Sequence, residues 1–205
     1  EYRQLPLTVE CRVTLKDANG YNILVANDTK ASGMHWELFT HPGSGKLSAY
    51  LPGFRPDHVH TPITICTGQT YYVALQLAEN RVRIFIDGKL AADAAVARND
   101  RPEMPGGFAI GRLVEGNLSS RGTIHWLRIS RGLREIPPSS LETISTDDQT
   151  IDAWQFAETA TSGIPATPIT PPYDPLVAET LAHSAITTGD AGRGLLVFAS
   201  AKFAC

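Results

Sequence analysis

The sequence has little cysteine, little methionine and no long apolar run. Three cysteines and two methionines occur in 205 residues, and three cysteines are too few for a disulfide framework. No run of 18 apolar residues is present, so we expect no transmembrane helix in this stretch. These features exclude a small disulfide-stapled domain and a helical membrane-spanning segment within these residues.

Charge of one sign is also scarce. Eighteen basic and 21 acidic residues give a formal net charge of −3. Residues 137–205 hold 8 acidic and 2 basic residues, so they carry the excess of negative charge. No part of the chain has the dense basic stripe that binds phosphate backbones, and nucleic acid is therefore excluded as an expected partner.

Apolar and polar residues alternate near the start of the chain. Every second residue from Leu7 to Leu15 is apolar, which is the period of a strand with one buried face. Further short apolar segments are separated by turn sequences such as Asp87-Gly88. The pattern predicts an all-β, two-sheet antiparallel jelly-roll sandwich. The predicted strands are 7–15, 21–26, 36–40, 46–51, 64–67, 71–77, 81–86, 89–96, 107–113 and 123–129.

Composition divides the chain into three parts. The sandwich occupies residues 1–136, and a strand at 151–156 could complete it. Residues 157–175 contain four prolines within eight residues, which indicates an extended, semi-rigid Pro/Thr-rich linker. Residues 176–205 have the pattern of short C-terminal helices.

Two pairs of segments carry a resemblance to a known family. The first pair is 69–75 and 81–90, which read QTYYVAL and RVRIFIDGKL; the second is 107–111 and 122–133. Together they resemble the concanavalin A-like, laminin G-type lectin domain. The resemblance implies a sandwich that binds glycans or proteins. Calcium would be compatible with the family, but His125 stands where many members have an acidic residue, so this sequence lends calcium no support.

A second resemblance lies at the end of the chain. Residues 189–205, GDAGRGLLVFASAKFAC, resemble the first helix of a bacterial class I c-type cytochrome. The resemblance implies that residues 176–205 are the helical start of a truncated cytochrome c domain. It also implies that Cys205 is the first thioether cysteine for haem c in a longer parent protein. Thioether attachment in turn implies a periplasmic, cell-surface or secreted location.

Three side chains are candidate ligand contacts. Trp36 and Trp126 could stack on the apolar face of a sugar ring. Alternation places Trp126 and Arg128 on one face of their strand and Leu127 with Ile129 on the other. Core packing is the alternative role for both tryptophans. Asn22 and Tyr50 are weaker candidates.

The remaining candidates concern a metal site, a disulfide and a catalytic centre. His58 and His60, two residues apart, could share a strand face and bind a metal, but the surrounding segment 53–61 indicates a solvated loop. Cys11 and Cys66 could pair, or Cys11 could be a buried thiol. The E-x-D-x-x-E spacing of glucanases of this fold is absent from the sequence, and we predict no catalytic residue and no metal ligand.

The sequence therefore predicts a non-catalytic glycan- or protein-binding module of a larger bacterial, haem-binding electron-transfer protein. The alternative is a fragment of an oxidoreductase or hydrolase whose catalytic domain lies outside this chain. In that case the sandwich would serve as a structural spacer.

Overall fold

The computed structural model describes residues 2–104, 106–138 and 142–156, which form thirteen strands and no helix. This part of the chain offers no helix of the length and apolarity that a membrane crossing requires. The first seven strands are β1 (Leu7–Leu15), β2 (Asn22–Asn27), β3 (Trp36–Thr40), β4 (Lys46–Tyr50), β5 (Phe54–Arg55), β6 (His58–Thr64) and β7 (Thr70–Leu77). The remaining strands are β8 (Arg81–Ile86), β9 (Lys89–Ala95), β10 (Ala97–Arg98), β11 (Phe108–Ile110), β12 (Gly122–Arg131) and β13 (Thr150–Gln155).

The strands form two antiparallel sheets and one short ribbon. The six-stranded sheet has the order β13-β12-β1-β7-β8-β9, the five-stranded sheet has the order β11-β2-β3-β4-β6, and β5 pairs with β10. This arrangement confirms the predicted all-β, two-sheet sandwich.

The core lies between the two sheets and follows the alternation of β1. The side chains of Leu7, Val9 and Val13 are fully buried, and β1 pairs with β12 on one side and β7 on the other. Apolar side chains of the five-stranded sheet meet them from the opposite layer. Those side chains are Leu24, Val25, Leu38, Leu47, Ala49 and Val59.

Segment 53–61 differs from the prediction of a loop. Its second half enters β6, which runs from His58 to Thr64 and pairs with β4. The expected strand at 64–67 is wrong beyond Thr64. Pro56 and Pro62 lower the strand propensity of this segment, so the sequence did not predict the strand. Val59 of this strand is nevertheless buried in the core.

The end of the sandwich lies beyond residue 136. The strand expected at 151–156 is present as β13, which pairs with β12 at the edge of the six-stranded sheet. The compact unit that contains the sandwich extends to residue 158. The predicted linker at 157–175, the predicted helices at 176–205 and Cys205 lie outside the described residues.

The outer face of the six-stranded sheet is covered over its central strands by residues 132–138 and 142–147. The Glu10 carboxylate, fully buried there, accepts hydrogen bonds from the Arg128 guanidinium at 2.8 Å on each oxygen and from the Tyr72 hydroxyl at 2.7 Å. Arg134 Nε lies 3.7 Å from the same carboxylate. The Arg128 guanidinium also donates to the Ser145 carbonyl at 2.7 Å, so the covering segment is attached through these charges.

Replacement of Arg128 tests this buried ion pair. Arg128→Ala leaves the Glu10 carboxylate buried with only Arg134 nearby, and we expect a loss of about 3 kcal/mol in the free energy of unfolding, measured by urea titration. Arg131→Ala, which removes an exposed arginine from the same strand, should cost about 0.5 kcal/mol or less. Equal losses for the two variants would show that the Glu10 pairing is not required.

Candidate functional site

Trp126 and Arg128 lie on the outer face of the six-stranded sheet, as alternation predicted, but the covering segment buries both. The Trp126 side chain is only 1% exposed and packs against Tyr72, Ile136 and Ile144. Arg128 is committed to Glu10. The structure thus gives these two predicted ligand contacts packing and ion-pair partners, and leaves no ring face for a sugar.

Trp36 is also buried, and it lies in the core between the sheets. Its indole Nε1 donates a hydrogen bond to the Tyr2 carbonyl at 2.9 Å. Asn22 is buried as well and donates to the Asp17 carbonyl at 2.9 Å and to Thr40 Oγ1 at 3.2 Å. Both side chains therefore tie the sandwich together instead of facing solvent.

Residues 112–134 contain five arginines, and most of them are also engaged in ion pairs. Three of the five arginines form ion pairs with carboxylates, at 2.6–2.8 Å. The pairs are Arg121–Asp17, Arg128–Glu10 and Arg134–Asp147.

Cys11 is a buried free thiol and Cys66 an exposed one, so these two cysteines do not pair.

The outer face of the five-stranded sheet carries a row of exposed and half-exposed rings. We define the histidine–tyrosine face by five side chains that share this side of the sheet. They are Tyr21, His41, Tyr50, His58 and His60. Strand register explains the arrangement, because Tyr50 on β4 is paired with His58 on β6, and Ser48 with His60.

The rings of this face form a continuous series. Ring centroids are 4.4 Å apart for Tyr50 and His58, 5.5 Å for His58 and His60, and 5.1 Å for His60 and His41. The His58 and His60 rings are stacked with an interplanar angle of 22°. Tyr21 extends the series, with its ring 6.0 Å from that of His41. The side chain of His58 is 40% exposed and Tyr21 is 42% exposed, so a ligand can reach the row at Tyr21, which is one end, and at His58, which is next to the other.

Two imidazoles of the face are held in the neutral form. Partial burial, followed by the nearby charges of other histidines, lowers the pKa of His41 and of His60 below the usual value of 6.5. Asp57 opposes the shift at His60, and Lys46 adds to it. His60 Nδ1 lies 2.9 Å from Ser48 Oγ and 3.3 Å from His41 Nε2. Neutral imidazoles present one donor and one acceptor each, which is what sugar hydroxyls require.

A charged cluster lies beside Tyr50. The Glu37 carboxylate is 2% exposed, with Lys30 Nζ at 3.2 Å and His35 Nε2 at 3.5 Å. Lys30 Nζ also lies 5.5 Å from the centroid of the Tyr50 ring. The partly exposed Lys30 ammonium therefore adds a fixed hydrogen-bond donor at this end of the face.

The arrangement of the face differs from that of a metal centre. Within residues 2–104, 106–138 and 142–156, no group of three or more His, Cys, Asp or Glu side chains is arranged to hold a metal ion. At His125, where the family often has an acid, Nε2 is 2.8 Å from Thr14 Oγ1.

Comparison with known families supports the fold assignment. Residues 4–137 match the family model described as the concanavalin A-like lectin/glucanases superfamily. The chain belongs to this superfamily. No curated protein is significantly similar to the chain.

Several solved structures are similar to this chain. A proposed carbohydrate binding protein from Bacteroides ovatus has 15% identity and a TM-score of 0.57; the match covers 73% of this chain and 44% of that protein. Domains LG4-5 of the mouse laminin alpha1 chain give 15% identity, a TM-score of 0.43 and coverage of 68% and 42%. Trypanosoma rangeli sialidase has 18% identity and a TM-score of 0.49, and the match covers 65% of this chain and 22% of the sialidase. This chain thus spans less than half of each of these proteins.

Most of the histidine–tyrosine face was not predicted from the sequence. His58 and His60 were expected to share a face if they lay on a strand, but the strand itself was not predicted. The i, i+2 spacing was the available signal. Nothing in the sequence indicates that His41, from the turn after β3, joins them, because that proximity comes from strand pairing across β4.

The lowered pKa values predict a pH-dependent stability. Because the pKa of His41 and of His60 is lower in the folded chain, the unfolded chain binds more protons below about pH 6.5. Stability is therefore fully present above that pH and is lost as the pH falls. We expect the melting temperature to fall between pH 7.5 and 5.5, a window above the range in which carboxylates titrate. His60→Asn should flatten this dependence, and an unchanged slope in that variant would contradict the assignment.

Proposed function

We propose that this chain is a non-catalytic binding module that holds a saccharide on the histidine–tyrosine face. The observation that carries the proposal is the continuous row of rings on strands β4 and β6 and the turn after β3. Flat rings stack on the apolar faces of pyranoses, and their polar edges bond the hydroxyl groups. Tyr50 and His58 are the central stacking side chains, with Lys30 and Ser48 as neighbouring polar groups.

The location of the face supports the proposal. Residues 132–138 and 142–147 cover the outer surface of the six-stranded sheet over β12, β1 and β7, and the described residues form no exposed ring series there. Among these same residues, the five-stranded sheet is covered at the side near β2, where Leu113 and Leu118 pack on Ile23 and Phe39. An open sheet face with exposed rings is a surface on which an extended saccharide fits.

The fold likeness is consistent with the proposal. The Bacteroides ovatus structure shares the fold, and its description names carbohydrate binding. Membership in a lectin/glucanase superfamily leaves both binding and hydrolysis available. The absence of the E-x-D-x-x-E spacing from the sequence favours binding for this module.

Ring removal tests the proposal. Tyr50→Ala and His58→Ala should each weaken binding to the saccharides that the wild-type chain selects on a glycan array by about tenfold, since stacking of one aromatic ring is worth about 0.5–1.5 kcal/mol beyond the area it buries. Isothermal titration calorimetry would give the affinities. Phe156→Ala removes an exposed ring outside the face and should leave affinity unchanged.

Two results would contradict saccharide binding at this face. One is an array without any bound saccharide for the wild-type chain, which would favour the structural-spacer alternative. The other is an equal loss of affinity in Phe156→Ala and Tyr50→Ala. Melting temperatures of all variants would separate loss of binding from loss of folding.

We also propose, from the sequence of residues 189–205, that the parent protein carries haem c on Cys205 and acts in electron transfer at the periplasm or cell surface. The support is the GDAGRG start, the apolar stripe and the spacing of Cys205 from that start. Haem c attachment needs two cysteines and a histidine, so two further residues followed by Cys-His are expected after Cys205.

The gene sequence beyond Cys205 tests the haem proposal. An x-x-Cys-His continuation, together with haem that stays bound to the denatured protein on a gel, is the expected result. Any other continuation would overturn it. The alternative, a parent oxidoreductase or hydrolase with its catalytic domain outside this chain, would be favoured by a catalytic motif in that further sequence.

A further inference from the structure

An arginine-lined cleft lies beside the β5–β10 ribbon. Its volume is about 840 Å³, within the range of sites that hold small organic ligands. The charged side chains that line it come from β5 and the residues after it, and from β10 and the loop that follows. They are Arg55, Asp57, Arg98, Asp100 and Arg101.

The guanidinium groups of the cleft are held in different ways. Arg98 lies with Cζ 4.4 Å from the centroid of the Phe54 ring. Its Nε is 3.3 Å from the exposed Glu79 carboxylate and its Nη1 is 3.4 Å from Met34 Sδ, so Nη2 is the nitrogen that remains for a ligand among the described contacts. Arg101 donates to the carbonyls of Lys30 and Ala31, which anchors its loop. Arg55 has no hydrogen-bond or ion-pair partner within the described part of the chain. Arg55 and Arg98 are therefore the cations with capacity for a ligand.

We propose that this cleft binds the carboxylate of an acidic saccharide. A guanidinium fork matches a carboxylate in a bidentate geometry. The ring beneath Arg98 restricts that guanidinium, so less side-chain entropy is lost when the ligand binds. Arg55 and Arg98 both line the cleft, and their strands, β5 and β10, pair with each other, so both side chains are attached to one ribbon.

The acidic side chains of the cleft define the ligand further. Asp57 and Asp100 offer acceptors for sugar hydroxyls, while their charge opposes a dense polyanion. Three arginines against two aspartates leave a small positive excess. This balance fits a saccharide with isolated carboxylates, and it disfavours nucleic acid or a heavily sulfated chain.

The cleft adjoins the histidine–tyrosine face, and the inference therefore rests on the proposed function. Asp57 lines the cleft, and its Oδ1 accepts a hydrogen bond from His58 Nδ1 at 2.9 Å. One oligosaccharide can therefore stack its neutral units on the face and place an acidic unit in the cleft. The substrate class expected for the module is an acidic oligosaccharide.

Calorimetry with paired ligands tests this inference. The probes are trigalacturonic acid, 3′-sialyllactose and a glucuronic-acid trisaccharide, each beside its methyl ester, which keeps the shape and removes the charge. We expect at least one acid to bind about tenfold or more tightly than its ester, since a hydrogen bond to a charged group is worth about 1.5–3 kcal/mol. Heparin should bind no more tightly than that acid.

Substitution of the arginines tests whether the difference in affinity between acid and ester arises in this cleft. Arg55→Ala and Arg98→Ala should each remove most of the difference between acid and ester, and Arg98→Lys should restore only part of it because an ammonium lacks the fork. Arg131→Ala removes the same charge from an exposed site outside the cleft and should keep the full difference. Melting temperatures would show that each variant is folded.

The possible failures are distinguishable. Acids that bind no better than their esters, or variants at Arg55 and Arg98 that match Arg131→Ala, would overturn the carboxylate site. If Tyr50→Ala still abolished binding in that case, the saccharide proposal for the face would stand. No binding of any saccharide or ester would overturn both, and heparin binding far tighter than any single-carboxylate probe would replace the acidic oligosaccharide with a polyanion.

Discussion

The buried carboxylate of Glu10 is the constraint on which the difference between the outer faces of the two sheets depends. A carboxylate without solvent must be paired and hydrogen-bonded, because an unpaired buried charge costs several kcal/mol. Arg128, Arg134 and Tyr72 satisfy Glu10. Arg134 belongs to the segment that follows β12, and this segment covers Arg128 and Tyr72. Arg128 donates to the Ser145 carbonyl of the segment, and Arg134 pairs with Asp147 within it.

The consequence is one closed outer surface and one open one. Covering β12, β1 and β7 commits the large side chains of that face, Trp126 among them, to packing. Within the described residues, no equivalent segment lies over β4 and β6, and the outward side chains of these strands keep contact with water. The proposed recognition therefore rests on Tyr50 and the three histidines, and on the arginine cleft beside them.

The strands could be predicted where alternation is regular, as in β1, β7 and β8. They could not be predicted where prolines and histidines interrupt it, as in β6. Trp126 and Arg128 were assigned to the correct side of β12, but their burial depends on residues 133–138 and 142–147, which have no periodic pattern. Stacking of His41 with His60 depends on β4 lying between β3 and β6, and pairing of that kind is set by the whole sandwich.

The sequence by itself determined the fold class and the inward face of each regular strand, because a two-residue period is local and directly readable. It also carried the resemblance of residues 69–90 and 107–133 to the superfamily. Only the tertiary structure decided which of the two outer faces is covered by residues 132–138 and 142–147. That choice follows from a charge pair 118 residues apart in sequence, Glu10 with Arg128, whose burial no local pattern specifies.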